Sequence, residues 1–442
     1  MIRFLVYLGL LGLAVAGAVW LADQPGGVVV DWQDWRLETS VPVLLGGVLA
    51  FGVLLALALG VLRFLGRAPS ILARARRERR RVMGYQALTR GLVAVASGDA
   101  AEARSLAKRA EALLGDPPLT RLLLVQAAQL DRDLPEVERQ LEAMLETSET
   151  APLALRGLIR QASERGDLPA ALGHARRAYE LRPGAEWAIE ALFGLLAKTA
   201  NWSEAHALLD RAAKRGLVER ETARHRRAAV LVELARASAT ADHARSLFEK
   251  AHELAPDLAP AAMGAARKLG EAGKTGKAER ILERAWSAMP HPGLAKSYLA
   301  LKPDQDNVRQ VLRLEKLVAA RPDHPESRLA LAEASLAARL WGPARGHLTP
   351  LLEDAPSLRA CRLMAAIAEG EGQAERARQW LDRALAAPPD PVWLCRACGT
   401  ASLDWQALCP RCGGFDSLVY DVPFRALSSL ASTAPPEALP AP

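Results

Sequence analysis

One residue slot recurs along most of this chain. A small side chain stands at Ala103, Ala171, Ala205, Ala244, Ala278, Ala344 and Ala377, with Val137 in the same slot. Successive spacings are 34, 34, 34, 39, 34, 66 and 33 residues, and the longest encloses one degenerate copy near Gln310. The array therefore has about nine units within residues 82–387. A unit of this length cannot bury its own apolar face, so neighbouring units must stack. Twelve residues after the slot stands a proline in five copies: Pro183, Pro256, Pro290, Pro356 and Pro389. Between slot and proline, apolar residues fall at +4 and +7, as at Phe248 and Ala251 or Leu282 and Ala285. That spacing is one face of a helix. The small residue lets a neighbouring helix approach, and the proline ends the helix because it lacks an N–H and restricts its predecessor.

The clearest copy runs from Gly166-Asp167-Leu168-Pro169-Ala170-Ala171-Leu172 through Ala175, Ala178 and Tyr179 to Pro183. It resembles the tetratricopeptide (TPR) repeat. The resemblance implies an all-α fold class, a TPR-like α-solenoid of about nine helix pairs presenting a concave surface to other proteins. Gly98-Asp99, Gly166-Asp167 and Gly273-Lys274 read as the turns within pairs. Trp202 and Trp341 occupy equivalent positions and read as packing between helices. Between Ala205 and Ala244 the cadence gains five residues, in a stretch holding Arg215, Arg220, Arg224, Arg226 and Arg227 beside Glu219 and Glu221. This lengthened basic helix is either solvated surface or a contact for an acidic partner. The eight histidines are scattered without a repeated partner, Cys361 reads as a buried structural thiol, and there is no phosphate loop or catalytic triad. The chain is expected not to be an enzyme.

Ahead of the array, residues 4–21 and 41–62 are free of charge and read as a transmembrane hairpin within residues 1–65. A cleaved signal peptide is the rival reading of the first stretch. The connecting loop carries Asp23, Asp31, Asp34 and Glu38 against one base, Arg36. After the second stretch come Arg63 and Arg67, then a basic segment, residues 66–81, with Arg74, Arg76, Arg77, Arg79, Arg80 and Arg81. Positive charge stays inside, so both termini and the solenoid are expected on the cytoplasmic side of a bacterial inner membrane. The six arginines from Arg74 to Arg81 are expected to rest on anionic lipid headgroups. Much of the formal charge of +7 sits in this segment, so no nucleic acid is expected as a partner.

The loop between the spans alternates apolar and polar residues from Val28 to Leu37, as a small hairpin or extended segment does. Its Trp32-Gln33-Asp34-Trp35-Arg36-Leu37-Glu38-Thr39-Ser40, followed by a basic stretch and TPR-like helices, resembles the HemY family of inner-membrane proteins. That resemblance implies a scaffold associated with late haem or tetrapyrrole biosynthesis. Cys398 is followed by Gly399, so the Cys-x-x-Cys-His of covalent haem attachment is missing and any haem would be held noncovalently.

Residues 392–422 carry two matched knuckles, Cys395-Arg396-Ala397-Cys398-Gly399 and Cys409-Pro410-Arg411-Cys412-Gly413. Two residues between thiols let both sulfurs face one ion, and the glycine frees the backbone to turn and donate N–H bonds to sulfur. Cys395, Cys398, Cys409 and Cys412 together make a closed four-thiolate site, structural because so short a segment cannot build its own core. Zinc suits it, iron is the alternative occupant, and a redox disulfide is the other reading. The module resembles zinc ribbons and rubredoxins, including the one that closes LapB. The second resemblance implies an alternative function, an adaptor regulating lipopolysaccharide synthesis through a membrane protease. The ribbon is expected to fold onto the last helix pair after Pro389, and residues 423–442 read as a disordered tail.

Overall fold

The structure, a computed structural model, describes residues 12–13, 15–17, 19–20, 26–32, 35–115, 118–353 and 356–423. The chain divides into two compact units, Met1–Gln140 and Leu141–Pro442. The first expected span, residues 4–21, lies mostly outside the described residues, as does nearly all of the tail.

In the first unit the connecting loop is a β-hairpin. β1 (Gly27–Trp32) pairs antiparallel with β2 (Trp35–Ser40), in a register that sets Val28 opposite Thr39 and Trp32 opposite Trp35. Ser40 then leads into α1 (Val41–Ser97), a single helix of 57 residues with Pro42 in its first turn. Its first 22 residues, Val41–Leu62, are long and apolar enough to cross a membrane and none of them is buried. The expected span, basic segment and first repeat helix are thus sections of one rod. Arg74, Arg76, Arg77, Arg79, Arg80 and Arg81 are all exposed on it. At about 1.5 Å of rise per residue, Arg74 lies about 18 Å beyond Leu62 and Arg81 about 29 Å beyond. Their distance from the headgroups is therefore set by the tilt of this rod. Near its end, Gly84 and Gly91 leave room for Leu114 and Leu123, and α1 closes against α2 (Ala100–Leu114) and α3 (Pro118–Leu130).

The division falls within α4 (Leu134–Met144), the partner of α3. Next come α5 (Ala151–Glu164), α6 (Leu168–Leu181), α7 (Glu186–Lys198), α8 (Trp202–Lys214) and α9 (Arg220–Arg236). Then follow α10 (Ala241–Leu254), α11 (Ala259–Glu271), α12 (Thr275–Ala288), α13 (Pro292–Ala300) and α14 (Asn307–Val318). The array finishes with α15 (Pro325–Ala337), α16 (Trp341–Leu348), α17 (Leu358–Gly370) and α18 (Ala374–Ala386). Counting the end of α1 with α2, the described residues form nine helix pairs, as the cadence requires.

Each mark of the repeat has a physical place. All eight small residues are buried on the second helix of a pair. Gln310 holds the slot in α14, half-buried, and its amide donates to the Gln305 carbonyl at 3.2 Å. The turn inside the pair passes through a left-handed residue at Gly98, Arg132, Gly166, Ala200, Gly273, Arg339 and Gly372. Three of these are not glycine, so their turns absorb some backbone strain. Helices α6, α10, α12 and α18 stop two or three residues before the marker proline. Helix α16 stops earlier because Pro350 already interrupts it, leaving a short 3₁₀ turn, Thr349–Leu351.

After α18 only the linker, and not the ribbon, settles on the last pair. Leu358 N–H donates to the Pro388 carbonyl and Arg359 N–H to Asp390 Oδ1, both at 3.0 Å, so the linker is held by the open N-terminus of α17. The ribbon beyond it is a three-stranded antiparallel sheet with β3 (Val392–Cys395) between β4 (Ala401–Ser402) and β5 (Leu418–Asp421). Its apolar side chains Trp393, Trp405 and Leu418 share one buried cluster with Ala228, Val232, Phe248 and Ala261 of α9 to α11. This corrects the expected seat, and the cause is surface. Helix α18 leaves Leu385 87% exposed, whereas α9 to α11 offer a broad apolar face.

Replacing Ala278, which is fully buried, with leucine should overpack its slot and cost about 1–3 kcal/mol. Leu385→Ala, at an exposed site, should change stability by less than about 0.5 kcal/mol. Urea denaturation of the full chain followed by circular dichroism checks both.

Candidate metal centre and its seat on the solenoid

The four thiols come together as their spacing implies. Cys395 Sγ lies 3.6 Å from Cys412 Sγ, and Cys398 Sγ lies 3.7 Å from Cys409 Sγ. All four sulfurs fall within 4.8 Å of one another, and none is in a disulfide. A tetrahedral ion with metal–sulfur bonds of about 2.3 Å needs edges of about 3.8 Å. The donor set therefore fits one metal ion with no open position. Gly399 and Gly413 are left-handed, with φ of 70° and 66°. Their N–H groups donate to the Cys395 and Cys409 carbonyls at 2.8 and 2.9 Å rather than to sulfur. The N–H groups offered to the thiols come from either side of the glycines, from Ala397 and Cys398 to Cys395, from Thr400 to Cys398 and from Gly414 to Cys412. The Thr400 hydroxyl, 3.2 Å away, and then its N–H pull the Cys398 thiol down to about 6. That favours the thiolate at Cys398, whereas at Cys412 the Gly414 N–H is outweighed by burial and the three neighbouring thiols, which push it up to about 11. Cys361 is not part of the site; it is fully buried in α17, and burial pushes its thiol up.

The seat of the ribbon is built by the lengthened unit. Helix α9 has 17 residues where most helices of the array have 13 or 14, and it supplies most of the polar contacts. His225 Nδ1 lies 2.6 Å from Asp416 Oδ2. Asp416 itself is left-handed with φ of 51°, and the imidazole helps hold this strained residue. Glu233 accepts from Ala407 N–H at 3.4 Å and from Arg236 Nη1 at 2.9 Å. Arg236 also lies over the Trp405 ring, 5.4 Å from its centroid. Of the two readings of this basic helix, solvated surface or a contact for an acidic partner, neither is decided by its arginines; the acid of the ribbon, Asp416, is met by His225 instead. The remaining arginines of α9 are largely committed: Arg226 pairs with Glu190, Arg227 with Asp210, and Arg224 donates to the Leu254 carbonyl.

Aromatic rings fix the ribbon at two further points. Phe415 meets Phe193 edge-on at 4.8 Å between centroids and lies 6.3 Å from Trp202. Trp202 is thus a packing residue, as its repeat position implied, and it packs on the ribbon as well. Trp341 covers Gly370, where a Cβ would meet the ring at 2.5 Å. On the other side of the ribbon, His291 sits 5.4 Å from the Trp393 ring and 4.3 Å from that of Tyr420. Burial lowers His291 to about 4 and pushes the Tyr420 phenol up to about 12. The Asp416 hydrogen bond, by contrast, raises His225.

The sequence alone singled out neither histidine. For His291 a signal existed: His291-Pro292 and His324-Pro325 stand 33 residues apart, and each Nδ1 accepts an N–H at the start of a helix, from Gly293 and Glu326. For the pairing of His225 with Asp416, 191 residues apart, nothing local points the way.

The comparisons with known proteins bear on the whole chain. The family described as the HemY protein N-terminus matches residues 26–132. The probable magnetosome protein Mms48 of Magnetospirillum gryphiswaldense is 30% identical over 450 residues, spanning 98% of this chain and 96% of the relative. This chain belongs to the same family as that relative, and its residues 26–132 are similar to the HemY N-terminus. Among solved structures it is similar to Naa15/Naa10 bound to HypK-THB, at 13% identity over 73% of this chain and 60% of that one, with a TM-score of 0.40. It is also similar to YrrB, a TPR protein with an unusual peptide-binding site, at 20% identity over 42% of this chain and 94% of that one, with a TM-score of 0.27.

Two measurements check the site. Cys409→Ser with Cys412→Ser should abolish stoichiometric metal in the purified chain and release the ribbon, while helical ellipticity from the array persists. The pH dependence follows from the raised pKa of His225. Its pairing with Asp416 contributes fully below the unfolded value of about 6.5 and is lost as pH rises through the folded value. The difference in melting temperature between wild type and His225→Gln should therefore be largest at pH 6 and shrink toward pH 9.

Proposed function

We propose that this protein is a non-enzymatic, membrane-anchored scaffold that holds client proteins on its solenoid at the cytoplasmic face of a bacterial inner membrane. The observation that carries this reading is α1, in which an exposed apolar stretch of membrane-spanning length continues without a break into the first repeat pair. Such a rod joins the first repeat pair to the apolar stretch without a flexible tether between them. The acidic loop before α1 and the arginines along it support the cytoplasmic orientation. The arginines also support contact with anionic lipid, to the extent that the helix tilts toward the surface.

The four-thiolate site is best filled by zinc, whose closed tetrahedral coordination would fold the ribbon without adding reactivity. For clients, likeness to the HemY family supports proteins of late haem or tetrapyrrole biosynthesis. A full-length relative described as a probable magnetosome protein suggests that the scaffold is common to the family and the client varies. The ribbon that follows the array in sequence supports the alternative, an adaptor presenting an envelope lipopolysaccharide enzyme to a membrane protease.

Crosslinking in living cells, with the captured proteins identified by mass spectrometry, should recover haem-synthesis enzymes above an untagged control. Recovery solely of lipopolysaccharide-pathway proteins and a protease would replace the haem assignment with the adaptor, and recovery of nothing would remove the scaffold. Metal analysis of the same preparation should give one zinc per chain; stoichiometric iron with the visible absorbance of an iron–thiolate centre would reopen a redox role.

A further inference from the structure

The seated ribbon leaves a cleft of about 1070 Å³ along one of its sides, against the solenoid. The cleft crosses first helices of three successive pairs, touching Arg236 of α9, Arg267 of α11 and Lys296 of α13. Its apolar lining comes from both partners: Phe248 and Met263 from the array, Trp393 and Trp405 from the ribbon. At its margin the ribbon exposes Leu403 by 90%, a large apolar side chain left in water on an otherwise packed module.

The polar groups of the cleft are unevenly matched. Arg236 is engaged by Glu233, and Glu271 by Lys268 at 2.7 Å. Arg267 and Lys296 are exposed and make no ion pair or hydrogen bond among the described residues, although Arg267 lies near enough to Glu271 to help lower its carboxyl; the cleft thus sets Arg236, Arg267 and Lys296 against Glu271 and Asp404. His291 also lines the cleft and is 8% exposed, and its buried Nε2 has no hydrogen-bond partner. Because Nδ1 already accepts the Gly293 N–H, Nε2 carries the proton and is a donor without an acceptor. An unmet buried donor beside surplus cations favours an anionic occupant, and the length of the cleft across three pairs favours an extended one.

We propose that this cleft is the client-docking site, taking an extended acidic peptide segment with a large apolar side chain from a partner protein. On this assignment, which rests on the scaffold reading above, the ribbon is half of the binding surface. The carboxylates lie along Arg267 and Lys296, and the apolar side chain enters between Met263 and the two tryptophans. Losing the metal removes one wall, so binding requires a loaded ribbon.

The test uses the full chain in lipid nanodiscs and a fluorescein-labelled decapeptide of glutamate interrupted by two leucines and a phenylalanine. Its control is the same peptide with glutamine replacing glutamate. Fluorescence anisotropy should show the acidic peptide binding at least tenfold more tightly than the control. The double variant Arg267→Glu, Lys296→Glu should weaken it at least tenfold, with metal content and melting temperature unchanged. Equal binding of the two peptides, or an affinity untouched by the charge reversal, would overturn the site. Photocrosslinking in cells separates this from the scaffold reading, with benzoylphenylalanine placed at Lys296 or at the exposed Leu385. Client adducts at Lys296 support the cleft. Adducts at Leu385 alone overturn it while leaving the scaffold standing, and none at either position overturns both.

Discussion

A metal ribbon of about thirty residues is too small to bury its own aromatic side chains, and that shortage organises the second unit of this protein. Four thiolates can fix the backbone around an ion, but they give Trp393, Trp405 and Leu418 nowhere to go. The array supplies the missing surface, and the three side chains are at most 6% exposed. Each contributes roughly 1.5–3 kcal/mol on burial, and the three together reach the scale of a whole small domain's stability. The ribbon is thus held by packing and aimed by polar contacts. Its fold and its position depend on each other.

The extra residues of the lengthened unit gain a role from this. A regular 34-residue unit would end α9 about a turn sooner. The added length brings His225, Glu233 and Arg236 to the ribbon from one helix, while the linker is caught separately by the N–H groups of Leu358 and Arg359. Two attachments far apart in sequence hold the module across the middle of the array. The face formed by first helices, which in other solenoids is the concave binding surface, is therefore already part-filled by the chain itself. On the proposed assignment, clients would meet a composite surface of helix and ribbon.

Much of this protein was legible in its sequence because the relevant forces are local. A small residue that admits a neighbouring helix, a turn residue that accepts left-handed angles and a proline that ends a helix each leave a mark at fixed spacing. The structure places every such mark where the spacing put it, with Pro350 explaining the one early stop. Chelation is equally local, since two residues between thiols set the angle of both sulfurs, and the four cysteines converge as expected. The seat was not legible. Its contacts span 169 to 191 residues, and they join a histidine, a glutamate and an arginine that each look like ordinary helix surface. The irregular cadence after Ala205 did mark the region, although its contact with the ribbon is made by His225, Glu233 and Arg236 and not by the arginines singled out there.

The central claim is that the ribbon lies on the middle of the array rather than at its end. Benzoylphenylalanine in place of Phe415 of the metal-loaded full chain, followed by irradiation, digestion and mass spectrometry, tests it most directly. The seat predicts adducts within one chain to the peptides carrying Phe193 or Trp202. Adducts confined to α17 and α18, or formed only between chains, would contradict it.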